Sequence, residues 1–275
     1  MQLWELVVAM ILGIVEGLTE FAPVSSTGHM IIVDDIWLQS KELYTEPVAN
    51  TFKVVIQLGS ILAVVIVFKD RFKDLLGLDR KATAGKKQRL SLTKVIVGLI
   101  PAGVLGLLFE DYIDEYLFSV ETVVIGLVVG AILMLIADFV TKKKPHHTET
   151  VDKMTYKQAL GMGLFQCLGL WPGFSRSGST ISGGVLLRMS HHSAADFTFI
   201  MAVPIMLGAS GLSLIKNWQY FTMDALPFFT VGFVSAFIVA LVVVKFFLKL
   251  IDKIKLVPFA IYRLVLAALI YIFFL

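Results

Sequence analysis

The sequence predicts an all-α polytopic membrane protein with an inverted-topology repeat, each half made of one re-entrant helix hairpin and three transmembrane helices. Three observations carry this. Of the 275 residues, 57% are hydrophobic and 16% charged, with a mean hydropathy of +0.83. Soluble domains run near 45–50% apolar and about 25% charged. Apolar runs at 51–68, 92–109, 120–140, 195–215, 227–248 and 256–275 approach or reach the roughly 20 residues that cross a bilayer. Each group of three such runs follows an apolar block broken by polar residues, at 6–33 and 156–189. Neither half of either block is long enough to span, and backbone that breaks at membrane depth survives only against protein or a cavity. The expected units are a first repeat over 1–141, a cytoplasmic linker over 142–155 and a second repeat over 156–275.

In chain order, the start holds no Lys or Arg to open a signal peptide, so no cleavage is expected. A polar loop is expected over 34–50. The two broken blocks align at an offset of 150: Gly13, Leu18, Ser25 and Gly28 fall on Gly163, Leu168, Ser175 and Gly178. Glu16 falls on Gln166 and Ser26 on Arg176, while Val97-Gly98 corresponds to Val231-Gly232. An odd number of spans per unit turns the second copy upside down, so the two hairpins would enter from opposite faces and meet near the midplane.

Basic residues set the orientation. Lys69, Arg71, Lys73, Arg80, Lys81, Lys86, Lys87, Arg89 and Lys94 crowd one connection, and 142–157 and 245–255 are basic on the same side. The opposite connections, 110–115 and 217–224, carry little positive charge, which places both termini outside. Gln57 and Asp138 read as interhelical or helix-end polar groups, and the pairs His146-His147 and His191-His192 as surface. The lone Cys167 reads as an apolar filler.

The chemistry gathers in two places. Trp171-Pro-Gly-Phe-Ser-Arg-Ser-Gly-Ser-Thr180 sets an arginine among hydroxyls and the glycines Gly173 and Gly178 inside lipid-compatible sequence. An arginine at mid-membrane costs roughly 2.5–3.5 kcal/mol on insertion scales. Two things would offset that: an anion bound by the guanidinium fork and the Ser175, Ser177 and Thr180 hydroxyls, or a buried glutamate paired with Arg176. In the first block, Glu16 and Glu20 are spaced i, i+4 and share a helix face, so a proton or a cation such as Mg²⁺ must separate them. Pro23 can open a half-helix whose first turn holds Ser25, Ser26 and Thr27, as phosphate ligands or as caps. His29 stands three residues after Ser26, a spacing that suits a base or acid for the hydroxyl, or a ring bonded to backbone.

Glu16-Gly-Leu-Thr-Glu20, Val24-Ser-Ser-Thr-Gly-His29 and Pro172-Gly-Phe-Ser-Arg-Ser-Gly-Ser-Thr180 make the chain resemble the undecaprenyl-diphosphatase, or bacitracin-resistance, family over nearly its whole length. The resemblance implies a multi-pass enzyme of the bacterial plasma membrane that hydrolyses undecaprenyl diphosphate to the monophosphate, with its site on the extracytoplasmic side. Such an enzyme recycles the lipid carrier of cell-wall synthesis and confers bacitracin resistance. It also implies a divalent cation, Mg²⁺ or Ca²⁺, held by Glu16 and Glu20. By position, Glu16, Glu20, Ser26, His29 and Arg176 take catalytic roles, with Ser26 as the proposed nucleophile. Ser25, Thr27, Gly173, Ser175, Arg176, Ser177 and Thr180 take the diphosphate. The implied partners are the lipid substrate and the bilayer, with no nucleic acid and with a homodimer left open. A secondary transporter or flippase for a phosphorylated lipid is the other reading, since broken helices meeting at midplane are transporter architecture. A phosphatidic-acid-type phosphatase fits poorly, because position 182, where that class needs histidine, is Ser182.

Overall fold

The structure is a computed structural model that describes residues 3–78, 89–142 and 146–275. Arg80, Lys81, Lys86 and Lys87 of the first basic connection, and Lys143 and Lys144 of the linker, lie outside the described residues. The described chain is helical, with one isolated bridge between Thr148 and Met189.

The first half runs through α1 (Leu3–Thr19), α2 (Ser26–Met30), α3 (Glu46–Val67), α4 (Leu92–Leu108) and α5 (Val120–Thr141). The second runs through α6 (Tyr156–Leu168), α7 (Arg176–Leu186), α8 (His191–Lys216), α9 (Leu226–Ile254) and α10 (Val257–Phe274). The helices α3, α5, α8, α9 and α10 are long and apolar enough to cross a membrane, so the chain is a multi-pass membrane protein. The sixth expected span, α4, has 17 residues with Pro101 inside it, about 25 Å of helix. The paired helices α1–α2 and α6–α7 are the two broken blocks, each too short to span.

Three expectations change. The stretch over 34–50 is mostly helical: a π-helix, Ile31–Leu38, extends α2, and a turn at Ser40–Leu43 leads into α3. Ile31 and Leu38 go into the core, and the fully buried Asp34 is answered by Lys53 at 2.9 Å and by the Ser40 N–H at 3.0 Å. The basic stretch over 245–255 is the end of the 29-residue α9, which stops where Lys255 takes φ +57°. His191 is not at the surface: it is 4% exposed and bonds Asp138 at 2.6 Å, whose other oxygen accepts the Leu256 and Val257 N–H groups at the start of α10.

Packing crosses between the halves through glycine. A Cβ on Gly13 of α1 would stand 2.3 Å from the carbonyl oxygen of Gly232 on α9. One on Gly163 of α6 would stand 2.3 Å from that of Gly98 on α4. These are the residues that the 150-residue offset and the Val-Gly correspondence pair up. Small residues let backbones touch where lipid offers no hydrophobic drive, and Gly17 on α1 facing Ala236 and Ala240 continues the seam. Gly126 and Gly130 do the same for α5, which receives the loop between α6 and α7 against its backbone.

Gly13→Ala and Gly163→Ala should each destabilise the protein in detergent, by about 1–3 kcal/mol, because the obstacle is backbone. Gly103→Ala, with nothing within 4 Å, should not lower Tm. Thermal unfolding followed by fluorescence-detected gel filtration checks this, and equal Tm for all three would remove the seam from the account.

Candidate active site

Each hairpin turns on a strained serine. In the first, α1 ends at Thr19, Pro23 offers no N–H, and Ser25 takes φ 71°, ψ 101° while its hydroxyl caps Gly28 N at 3.3 Å. In the second, a capping box of Thr155 and Gln158 starts α6, and Gly173 at φ 86° turns the chain against Val123. Ser175 then takes φ 71°, ψ 112° and caps Gly178 N at 3.1 Å. Side chains rarely adopt positive φ, at a cost of about 1–3 kcal/mol each, and such residues concentrate at functional sites. Here the same geometry occurs twice, at aligned positions.

The turns meet. Arg176 Nη2 bonds Glu20 Oε1 at 2.9 Å, and the Ser26 hydroxyl donates to Glu20 Oε2 at 2.7 Å. Ser177 donates to the Ala22 carbonyl at 3.1 Å, satisfying backbone at the broken tip, and the Phe21 ring lies 5.7 Å from the guanidinium carbon. Arg176 is therefore paired with a buried glutamate, yet its Nη1 stays buried with no partner. Glu16, one turn before Glu20 and 3% exposed, has an Oε1 in the same condition.

Between the tips lies a cavity of about 430 Å³. Among the expected residues, Glu20, Ser25, Ser26, Thr27, Gly173, Ser175 and Arg176 line it, joined by Gln57 and Gln166. Others stand behind the wall. Thr180 donates to the Arg176 carbonyl at 2.8 Å and accepts from Thr198 at 2.9 Å, so its hydroxyl ties α7 to α8. His29 has both ring nitrogens engaged: Nδ1 lies 2.7 Å from the Ser25 carbonyl and Nε2 2.7 Å from the Tyr262 hydroxyl, with the two rings stacked 5.6 Å apart. A carbonyl only accepts, so Nδ1 carries the hydrogen. The neighbour of Ser26 is thus Glu20 rather than the imidazole expected from the spacing.

Two residues on α10 escaped the sequence reading. Beside Tyr262, Arg263 is fully buried and donates to the carbonyls of Gly126 at 3.2 Å and Gly173 at 2.9 Å, and toward Met134 Sδ at 3.5 Å. The signal was available, because a single arginine inside an apolar span carries the same insertion cost as Arg176. A second cavity of about 480 Å³ opens between Phe139, Lys142, Lys255 and Val257. Its acid, Asp138, is already taken by His191 and two N–H groups.

Among the described residues no group of three or more His, Cys, Asp or Glu side chains gathers to enclose a metal. The Glu16–Glu20 pair, with one carboxylate oxygen unbonded, still fits a hard cation of the Mg²⁺ or Ca²⁺ kind, which takes carboxylates and completes its shell with phosphate oxygens and water.

A profile of the family described as Bacitracin resistance protein BacA matches residues 9–269. An "Undecaprenyl-diphosphatase" from Geobacillus sp. (strain WCH70) is 72% identical over 272 residues, 99% of each chain. One from Bacillus subtilis (strain 168) is 68% identical over 271 residues, 98% of each chain. An "Undecaprenyl-diphosphatase 2" from Bacillus licheniformis is 70% identical over 277 aligned positions, 100% of each chain. A match over residues 9–269, with relatives about 70% identical over nearly the full length, makes this chain a member of the bacitracin resistance protein BacA family.

Proposed function

We propose that the protein is an undecaprenyl-diphosphate phosphatase of the bacterial plasma membrane, releasing phosphate and undecaprenyl phosphate, and that the two hairpins belong to an inverted repeat. The observation that carries the reading is the junction at Glu20, which holds the Ser26 hydroxyl and the Arg176 guanidinium against one cavity. A binding site for transport needs no nucleophile, whereas a hydroxyl bonded to a carboxylate is the pairing that can generate one.

The chemistry follows from the contacts. Arg176 and the Ser175 and Thr27 hydroxyls take the phosphoryl oxygens at the start of α7, where N–H groups and the helix dipole add to the attraction. Ser26 Oγ attacks the terminal phosphorus as its proton passes to Glu20 Oε2, and the bond to the bridging oxygen breaks, freeing the lipid monophosphate. Water then cleaves the phosphoserine. Glu16 and Glu20 would hold a divalent cation, which would supply positive charge to neutralise the phosphate. His29 fixes the strained Ser25 carbonyl, and Nε2 is its one nitrogen free to trade a proton with Tyr262.

The cavity's lining includes Ile113 and Phe118, beside the connection poor in Lys and Arg, and Trp171 bonds Thr122 O near the same end of α5. Arg71, Asp152, Thr93 and Tyr156 cluster at the other end. This supports a site that opens toward the outer leaflet.

Purified protein in detergent should release phosphate from a long-chain prenyl diphosphate, and chelation should stop it; no release with Mg²⁺ or Ca²⁺ present sinks the enzyme reading in favour of transport. Ser26→Ala should lose at least about 100-fold in kcat, and acid quench of the wild type should trap phosphate on Ser26; full activity in Ser26→Ala would hand the attack to water. Arg263→Met should lower Tm and kcat together while leaving the metal requirement unchanged, because it unseats Gly173; an unaffected kcat in a destabilised protein would make Arg263 structural only.

A further inference from the structure

Gln166 sits in the last turn of α6, 2% exposed, and neither its Oε1 nor its Nε2 has a hydrogen-bond partner. Buried amides are nearly always satisfied. On the same helix Gln158 shows the ordinary case, bonding Thr148, the Thr155 backbone and the Leu187 carbonyl. Gln166 instead lines the cavity between the hairpins, with Glu20, Ser26 and Arg176. Arg176 Nη1 is the other buried donor left without a partner there. Two unsatisfied donors among the residues lining one cavity call for a ligand rich in acceptors, and phosphoryl oxygens are such acceptors.

We infer that the Gln166 carboxamide contacts the substrate, its NH₂ donating to a phosphoryl oxygen beside the Arg176 fork. This rests on the reading of the cavity as a diphosphate site. The aligned residue of the first hairpin, Glu16, shows why the amide matters. A glutamate has nearly the same shape, but it only accepts and would set a further negative charge against an anion. The residue type at this one position thus separates the acidic hairpin from the anion-binding one.

The test uses full-length protein in detergent, a prenyl methylenebisphosphonate as a non-hydrolysable probe, and phosphate-release kinetics. Gln166→Met keeps the length and removes the polar atoms, so Tm without ligand should hold or rise. Its affinity for the probe should fall about 10-fold and KM rise to match, with kcat within about threefold. Gln166→Glu should weaken the probe about 100-fold. Wild-type affinity in both variants, or a lower Tm in Gln166→Met with unchanged affinity, would overturn the inference and leave the amide a tie between helices. A wild-type protein that the probe does not stabilise would instead bring down the diphosphate reading, and this inference with it.

Discussion

Glu20 commits both carboxylate oxygens at once, one to Arg176 and one to Ser26, across a sequence separation of 156 residues for the first. The Arg176 and Glu20 side chains are 15% and 8% exposed, so removing the acid would leave a largely buried guanidinium unpaired, a loss of up to about 3–5 kcal/mol. Where α1 and α6 end, the turns leave polar groups that need partners, and these come from the other hairpin, from α10 and from α5. The Ala22 carbonyl takes the Ser177 hydroxyl, the Gly173 carbonyl takes Arg263, and the Thr122 carbonyl takes the Trp171 indole. The glycine seams follow from that requirement. With α1 against the backbone of α9 and α6 against that of α4, the two tips meet at Glu20 and Arg176.

The proposed repeat explains why the turns match and why their chemistry does not. Ser25 and Ser175 share the same positive φ and the same cap, so the local solution for breaking a helix occurs twice. The side chains placed on it diverge. Position 26 is a hydroxyl where 176 is a cation, and position 16 is an acid where 166 is an amide. A site assembled at a symmetry axis from identical halves would bring like charges together. Divergence at 26 and 176, together with Glu20 standing where the second half has Leu170, sets a carboxylate against a guanidinium, which holds the junction together without a ligand and leaves it polar enough to take one.

Much of this was legible in the chain. The long spans came from run length, and the broken helices from polar residues that no lipid would accept. Glu16, Glu20, Ser26 and Arg176 stood out because each is costly at its depth. Legibility failed where the cost was met by carbonyls or by distant partners. Arg263 is satisfied by glycine carbonyls on other elements, and Tyr262 reaches His29 across 233 residues. His191 looked like a loop residue because nothing local shows that Asp138 lies over it. The 34–50 stretch looked polar because its acid could not be seen to meet Lys53. Spacing misled at Ser26 and His29: three residues apart on a short helix they are neighbours, yet the ring swings to Tyr262 and the hydroxyl to Glu20.

Charge accounts for the last helix. Counted as ionised, Glu16 and Glu20 against Arg176 and Arg263 leave the region with no net charge. A terminal phosphoryl group brings about −1.5 to −2 at pH 7, and its field is poorly screened inside the bilayer. Arg263 has no carboxylate partner among its bonds; it holds the anion loop by carbonyls, so its positive charge remains unspent beneath Gly173 and Gly178. Arg176 is half spent on Glu20. One unspent cation below the loop, one half-spent cation beside it and one divalent ion on the acids would bring the loaded site near neutrality, which is the condition for drawing a diphosphate out of the headgroup region without a large desolvation penalty. By placing Tyr262 against the first hairpin and Arg263 under the second, α10 supplies part of that charge and sets the distance over which it acts.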